Sequence, residues 1–450
     1  MRFHLALGVG KIVAWVINAF FPQRGTNKSG VIACRIEPGF LSKFTGIDPK
    51  KCIFITGTNG KSTSNNLIVH AFRTAGYTVA TNLEGANMVT GIATALIKNS
   101  TLSGRLTADY LICEVDERNL AKVRAAIPAG FIAVTNIQKD QVQRNGDPDY
   151  IYQKIASAID NNVTMFVNNE EPRSSALATL SKHSVRFSVA DNDRTSHVGE
   201  YSVTMACPVC HDALRFSHFN LANIGDFSCP GCGFSSQSDP DYQVDAVDYP
   251  AQTFSIDGHS FHMPYDAAHF LYNYALCYAV ARTFGLGLPE IGRGFETFHN
   301  VGGRLEEFTY KSTTLRYLRI KQENPETLQS ALDDIDRRVR QDPGRSVLVL
   351  GLQVVRDIVP AYSNTAYFYD VDPEPQFDAC VCFGTTNCYD AATRLTYAGF
   401  PPDSITVVDS DDPTEVLEAV AACDAPHAYL VTMLHTYEEI RARADQGRPA

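Results

Sequence analysis

The 450-residue chain is 44% hydrophobic and 20% charged, an ordinary globular balance that excludes a wholly disordered polymer and has room for two or three domains. Its formal net charge of -11 excludes the basic footprint that non-specific nucleic-acid binding needs. Of its twelve cysteines, eight (Cys34, Cys52, Cys113, Cys277, Cys380, Cys382, Cys388, Cys423) are scattered, several inside apolar runs, as buried thiols of a cytoplasmic protein would be.

The opening MRFHLALGVGKIVAWVINAFF is apolar but carries Lys11, and no small-residue cleavage site follows. Its apolar run, residues 12–21, is shorter than the about 20 residues a bilayer span takes. An amphipathic helix packed on the body is the first reading; a helix lying on a membrane surface is the alternative.

From 51 to 180 strand-like and helix-like segments alternate. Residues 51–56 (KCIFIT) read as a strand and 61–75 as a helix stopped by Gly76. Residues 77–81, 110–115 (YLICEV), 130–136 (GFIAVTN) and 165–168 read as further strands. This alternation predicts a mostly parallel sheet with helices on both faces. Residues 200–240 break the pattern with turn formers and two cysteine pairs. Helical spacing returns over 266–284, ending at Gly285, and a boundary falls near 300–303. Beyond it, strands at 346–350, 379–383, 404–408 and 428–432 alternate with helices at 328–338, 390–398 and 413–422, predicting a second, smaller α/β domain.

Gly57-Thr58-Asn59-Gly60-Lys61-Ser62-Thr63 follows the first strand and opens a helix. In that context backbone N–H groups and the helix N-terminus hold phosphates, Lys61 reaches the terminal ones, and the Ser62 hydroxyl suits Mg²⁺. Ile55 stands where the full phosphate-loop pattern has Gly, so only its second half is present. Glu114-Val115-Asp116-Glu117 closes another strand, where a carboxylate near the loop suits Mg²⁺ directly or through water.

Cys207-x-x-Cys210 and Cys229-x-x-Cys232 form two knuckles that suit one tetrahedral Zn²⁺. Four thiolates leave no open position, so the metal would be structural. The flanking Asp212, Asp226, Asp239 and Asp241 speak against a nucleic-acid-binding ribbon.

The wording GTNGKST resembles the Mur ligase superfamily, which includes the peptidoglycan Mur ligases and folylpolyglutamate synthetase and joins a carboxylate to an amine through an acyl phosphate. The resemblance implies ATP bound by Gly57 through Thr63, Mg²⁺ at Glu114, and an active-site-lining segment at Asn136-Ile137-Gln138-Lys139-Asp140-Gln141. It also implies an adenine-side role for Asn273 in Tyr272-Asn273, and a phosphate contact by Arg304 in Gly303-Arg304-Leu305-Glu306. Ordinary members lack a four-Cys ribbon; a Mur-type ATPase that has one resembles the MurT branch, the ligase subunits of lipid II isoglutaminyl synthases. Arg24-Gly25-Thr26, Glu37-Pro38-Gly39, Glu84-Gly85-Ala86-Asn87-Met88, Arg144-Asn145-Gly146-Asp147 and Arg394-Leu395-Thr396-Tyr397-Ala398-Gly399 carry that likeness.

The branch resemblance implies ATP-dependent amidation of the D-glutamate α-carboxylate of the lipid II stem peptide. Ammonia would come from a class I glutaminase subunit (GatD-like) in a heterodimer, with no nucleic acid and at most peripheral membrane contact. Consistently, no Gly-x-Cys-x-Gly elbow, the setting of a glutaminase nucleophile, occurs here. The branch carries a stretch like Asp-x-Ser-Trp-Ile-Trp-Asp in its C-terminal domain. Here Asn364-Thr365-Ala366-Tyr367-Phe368-Tyr369-Asp370 stands in its place, so Asn364 replaces the first Asp. Asp370 first, and Asp357 second, are therefore the candidate catalytic carboxylates beside Lys61. Residues 321–325 also depart from the branch's Lys-Asn-Pro run. The alternatives are a folylpolyglutamate synthetase-like amide ligase and a non-catalytic ATP-binding regulator.

The expected architecture is α/β. A lead segment (1–45) precedes a Mur-ligase-type central phosphate-loop ATPase domain (46–300) with the zinc ribbon inserted at about 200–240. A smaller C-terminal α/β domain (301–450) follows.

Overall fold

A computed structural model of the chain describes residues 1–20, 27–83, 86–140, 147–197, 205–221, 223–299, 305–318, 324–341, 344–352, 368, 371–373 and 376–446. The chain divides into two compact units, Met1–Gln138 with Pro148–His299, and Lys139–Asp147 with Asn300–Ala450.

The first unit begins with helices α1 (Arg2–Phe20) and α2 (Lys28–Ile36). Then follow β1 (Cys52–Thr56), α3 (Lys61–Thr74), β2 (Val79–Ala80), α4 (Val89–Lys98), β3 (Tyr110–Glu114), α5 (Leu120–Ala126) and β4 (Phe131–Val134). Next come α6 (Pro148–Ala156), β5 (Thr164–Asn168), α7 (Pro172–Leu177) and β6 (His183–Val189). The sheet is completed by β10 (Tyr242–Asp248), β11 (Thr253–Ile256) and β12 (His259–His262), and α8 (Ala268–Thr283) and α9 (Leu288–Glu296) pack on it. Strand order is β12-β11-β10-β6-β5-β4-β1-β3-β2. All neighbours from β10 to β2 are parallel, and β11 and β12 extend the edge antiparallel.

Both faces of this sheet are covered, which is why its strands are short continuous apolar runs. Side chains alternate along β1: Ile53 and Ile55 join Phe72 of α3 and Tyr274 and Tyr278 of α8, while Cys52 and Phe54 join Leu96 and Ile97 of α4 and Leu7 of α1. Phe54 and Phe72 are fully buried, and each contributes roughly 3–5 kcal/mol by the usual effect of truncation to alanine. Helix α3 stops where Gly76 takes φ +91° and donates to Arg73 O, while Tyr77 N reaches Phe72 O.

Between β6 and β10 a separate three-stranded antiparallel sheet, β7 (Ser196–His197), β8 (Arg215–Leu221) and β9 (Ile224–Ser228), carries the cysteine knuckles.

In the second unit the hairpin β13 (Leu305–Tyr310) and β14 (Thr313–Leu318) leads to α10 (Pro325–Val339), β15 (Ser346–Gly351), β16 (Ala379–Phe383), α11 (Asn387–Tyr397), β17 (Ile405–Val408), α12 (Pro413–Ala422), β18 (His427–Val431) and α13 (Leu434–Gln446). The sheet order is β13-β14-β18-β15-β16-β17, parallel except at the hairpin.

Two sequence expectations are refined. The apolar run judged too short for a span, residues 12–21, belongs largely to one 19-residue helix, α1, which by length and composition is long and apolar enough to cross a membrane. Lys11 does not interrupt it, because its ammonium folds back onto the Ile97 and Ser100 carbonyls. The scattered thiols Cys52, Cys113, Cys277, Cys380 and Cys382 are buried, and burial pushes each thiol up, Cys113 and Cys382 to about 12.

Candidate nucleotide site and four-thiolate cluster

The phosphate loop lies beyond the carboxyl end of β1, the edge where parallel sheets gather their ligand-binding loops. Gly57 takes φ +123° and Gly60 φ +78°. A Cβ at Gly57 would stand 2.3 Å from Thr135 Oγ1, and one at Gly60 2.9 Å from Asn273 Oδ1, so the loop is closed against its neighbours.

Lys61 opens α3 and is 5% exposed. Its Nζ donates to the Gly57 carbonyl, to Thr58 O at 3.0 Å and to Glu117 Oε1 at 2.5 Å. Ser62 Oγ donates to Glu114 Oε2 at 2.6 Å, and Asn87 Nδ2 holds the other oxygen of that carboxylate at 3.1 Å. Asn82 brackets the Glu114 backbone, donating to its carbonyl and accepting from its N–H. Thr63 is half-buried at the next helical position.

The loop is braced from the segment after β4. Thr58 N donates to Asn136 O at 2.8 Å, and Asn59 N to Asn136 Oδ1 at 2.8 Å. Asn59 Nδ2 reaches Gln138 Oε1 at 2.8 Å, and Gln138 Nε2 donates to Asn223 Oδ1 at 2.5 Å. Asn223 belongs to the turn joining β8 and β9, so the cysteine insertion touches the phosphate loop through one glutamine. Glu170, 4% exposed, ties the ribbon hairpin to the main sheet and α8. It accepts from Val189 N (2.7 Å), Asn220 Nδ2 (2.8 Å) and the Tyr272 hydroxyl (3.0 Å), and its own carbonyl accepts from Gly225 N. Burial pushes its carboxyl up to about 7 against these donors.

Asn273, predicted on the adenine side, lies against the loop itself. Its Oδ1 accepts from Ser64 Oγ at 2.9 Å, and its buried Nδ2 has no hydrogen-bond partner among the described residues. A free buried donor beside two positive-φ glycines and a helix N-terminus fits an anionic oxygen. The hydroxyl–carboxylate pair Ser62–Glu114 fits a hard divalent cation. Gly57 through Thr63 would hold ATP, and Ser62 and Glu114 its Mg²⁺.

The four cysteine Sγ atoms all lie within 4.8 Å of one another. Cys207 and Cys232 are 3.7 Å apart and Cys210 and Cys229 3.4 Å. Val209 N points at Cys207 Sγ, as amides do in thiolate knuckles. Burial opposes ionisation of Cys229, yet the Cys232 N–H and the neighbouring Cys210 and Cys232 thiols bring it down to about 7. Four convergent sulfurs with amide support fit a closed tetrahedral Zn²⁺ site.

The structure thus brings together Lys61, Ser62, Glu114 and Asn273, and separately the four thiols. Arg304, Asp357, Asn364 and Asp370 lie outside the described residues. Sequence reading placed Glu117 only within the acidic stretch after β3 and Gln138 only within a segment lining the site, and it did not single out Asn223. Their signal was position: polar residues just past β3 and β4, and in the turn of the ribbon hairpin.

The fold and this loop are similar to those of proteins of the Mur ligase type: a model of the Mur ligase middle domain matches residues 55–229. Among solved structures, the fold is shared with a pseudomurein peptide ligase type C from Methanothermus fervidus (TM-score 0.65, 15% identity, 90% of this chain and 80% of that one). It is also shared with the MurF ligase of Thermotoga maritima in complex with ADP (TM-score 0.55, 12% identity, 94% and 85%). More particularly, the chain is similar to the MurT subunit of the glutamine-hydrolyzing lipid II isoglutaminyl synthase. It is 28% identical to that of Staphylococcus aureus (strain COL) over 81% of each chain, and 26% identical to that of Streptococcus pneumoniae (strain ATCC BAA-255 / R6) over 93% of this chain and 92% of that one.

Proposed function

We propose that this chain is the ATP-dependent ligase subunit that amidates the D-glutamate α-carboxylate of the lipid II stem peptide, giving D-isoglutamine in peptidoglycan synthesis. The observation that carries the reading is the Ser62–Glu114 pair, 2.6 Å apart beside Lys61, in a chain similar to MurT subunits over most of its length. A loop that only held nucleotide as a switch would still need Lys61; the paired hydroxyl and carboxylate favour phosphoryl transfer.

In this mechanism the loop N–H groups and Lys61 grip the ATP phosphates and stabilise charge on the transferring phosphoryl group. Ser62 and Glu114 would hold Mg²⁺, which would supply further charge neutralisation. The γ-phosphoryl passes to a carboxylate oxygen and ADP leaves. Ammonia then attacks the acyl carbon, phosphate departs with that oxygen, and a base takes the surplus proton. Asp370 first, and Asp357 second, are the candidate side chains for that base; Asn364 can orient a group by hydrogen bonding but cannot act as a base. The ammonia comes from a class I glutaminase partner in a heterodimer, on lipid II at the cytoplasmic side.

The test is to assay the purified chain on lipid II with ATP and either ammonium or glutamine, then with the glutaminase added. Amidation with ammonium alone, and with glutamine only in the complex, is the expected result. Glutamine use by the isolated chain overturns the division of labour. Incorporation of glutamate instead of ammonia shows a folylpolyglutamate synthetase-like ligase, and ATP binding without turnover of any nitrogen donor shows a regulator.

A further inference from the structure

Helix α1 turns its small residues inward and its large apolar residues outward. Ala6, Gly10 and Ala14 are buried with Leu7, whereas Leu5, Ile12, Trp15 and Phe20 are 61%, 63%, 68% and 68% exposed. Close approach fixes the inner face: a Cβ on Gly10 would stand 2.8 Å from Ile97 Cδ1 of α4. Lys11 fixes the rotation, donating to Ile97 O at 2.7 Å and Ser100 O at 2.5 Å. At about 100° per residue, the exposed side runs from His4 through Trp15, Ala19, Ile12, Leu5 and Val16 to Phe20, an arc of about 160°. His4 stands at one edge and Arg2 at the other. A helix serving only the protein core shows the reverse, with its largest apolar residues inside.

Charge is the second observation. Residues 1–36 contain Arg2, Lys11, Arg24, Lys28 and Arg35 and no Asp or Glu, in a chain whose net charge is -11. The acidic excess therefore lies wholly downstream. Lys28 and Arg35 are exposed on α2, which packs against α1.

We propose that α1 lies in the surface of an anionic phospholipid bilayer. Leu5, Ile12, Val16 and Phe20 enter the acyl boundary, Trp15 sits at head-group level, and Arg2, Lys28 and Arg35 face lipid phosphates. Crossing the bilayer would strip the helix from α2 and α4 and break both Lys11 hydrogen bonds. A second copy on this face would bring two basic segments together. The inference does not depend on the proposed reaction.

The test uses the full chain and its only tryptophan, Trp15. With phosphatidylglycerol-rich vesicles, Trp15 emission should move to the blue and the protein should co-sediment; with pure phosphatidylcholine vesicles neither should occur. Raising salt should release the protein, since the basic contribution is screened. The doubly substituted Leu5→Ser/Ile12→Ser protein should partition roughly tenfold more weakly or worse, with an unchanged melting curve, because both side chains are exposed. The proposal is overturned by Trp15 emission that ignores both vesicle types, by equal binding to neutral vesicles, or by undiminished binding of the double variant. A blue shift that follows protein concentration without lipid also overturns it, showing self-association instead.

Discussion

Lys61 Nζ stands 2.5 Å from Glu117 Oε1, with the two side chains 6% and 7% exposed. The phosphate-loop lysine therefore has two tasks. In the proposed reaction it grips the phosphates, and in the structure it neutralises a nearly buried carboxylate. Lys61→Ala should lower ATP-dependent turnover by roughly 10²-fold or more. It should also destabilise the first unit by roughly 3–5 kcal/mol, because a buried charge is left alone. Adding Glu117→Gln should recover most of the stability and none of the turnover. Chemical denaturation beside a turnover assay separates the two effects; a Lys61→Ala protein that turns over normally refutes the site.

The four-thiolate cluster should hold about one Zn²⁺ per chain. Elemental analysis of protein purified without chelator measures this directly, and a zinc-free result counts against the assignment. Cys229→Ser should lose the metal and increase hydrogen exchange across β8 and β9 more than across β1 to β5, since those strands have their own core.

The path from Asn223 through Gln138 to Asn59 makes the ribbon hairpin a support for the phosphate loop. Asn223→Ala removes one hydrogen bond from Gln138, a loss of about 0.5–1.5 kcal/mol. ATP affinity should fall about two- to tenfold while zinc content stays unchanged. Calorimetric titration with a non-hydrolysable ATP analogue is the measurement, and unaltered affinity would show that the loop holds its shape alone.

Glu170 gives a pH dependence of definite sign. Its carboxyl is raised to about 7, first by burial, against donors that favour the charged form. Between its ordinary value near 4.5 and about 7 the folded state binds more protons than the unfolded state, so stability falls as pH rises through that window. The advantage of the wild-type protein over Glu170→Gln should shrink by on the order of 3 kcal/mol from pH 4.5 to pH 8 and then level off. Urea denaturation across that range tests it; a constant difference would show that Glu170 is ionised throughout.

Much of the first unit was legible because β1, β3, β4 and β5 are apolar on both faces and helices α3 and α8 end at glycines. β6 and β10 were missed for a physical reason. His183–Val189 and Tyr242–Asp248 carry Arg186, Ser188, Asp245 and Asp248 among their apolar residues, so neither reads as a buried run. The loop and the cysteine spacing were readable as local patterns. The individual partners of Glu117 and Gln138, and any part for Asn223, were not, since they arise only when loops from different strands meet at one edge of the sheet. The carboxylates Asp357 and Asp370 rest on the branch resemblance alone.

The depth of the scattered thiols has a practical consequence for protein chemistry. Cys52, Cys113, Cys277, Cys380 and Cys382 are both hidden and held in the unreactive protonated form. Cys210 and Cys232, by contrast, are exposed. A brief alkylation of the native protein would therefore report mainly on the knuckles. Mass spectrometry of the modified peptides would turn metal occupancy into a count of tagged cysteines, readable even in a crude extract.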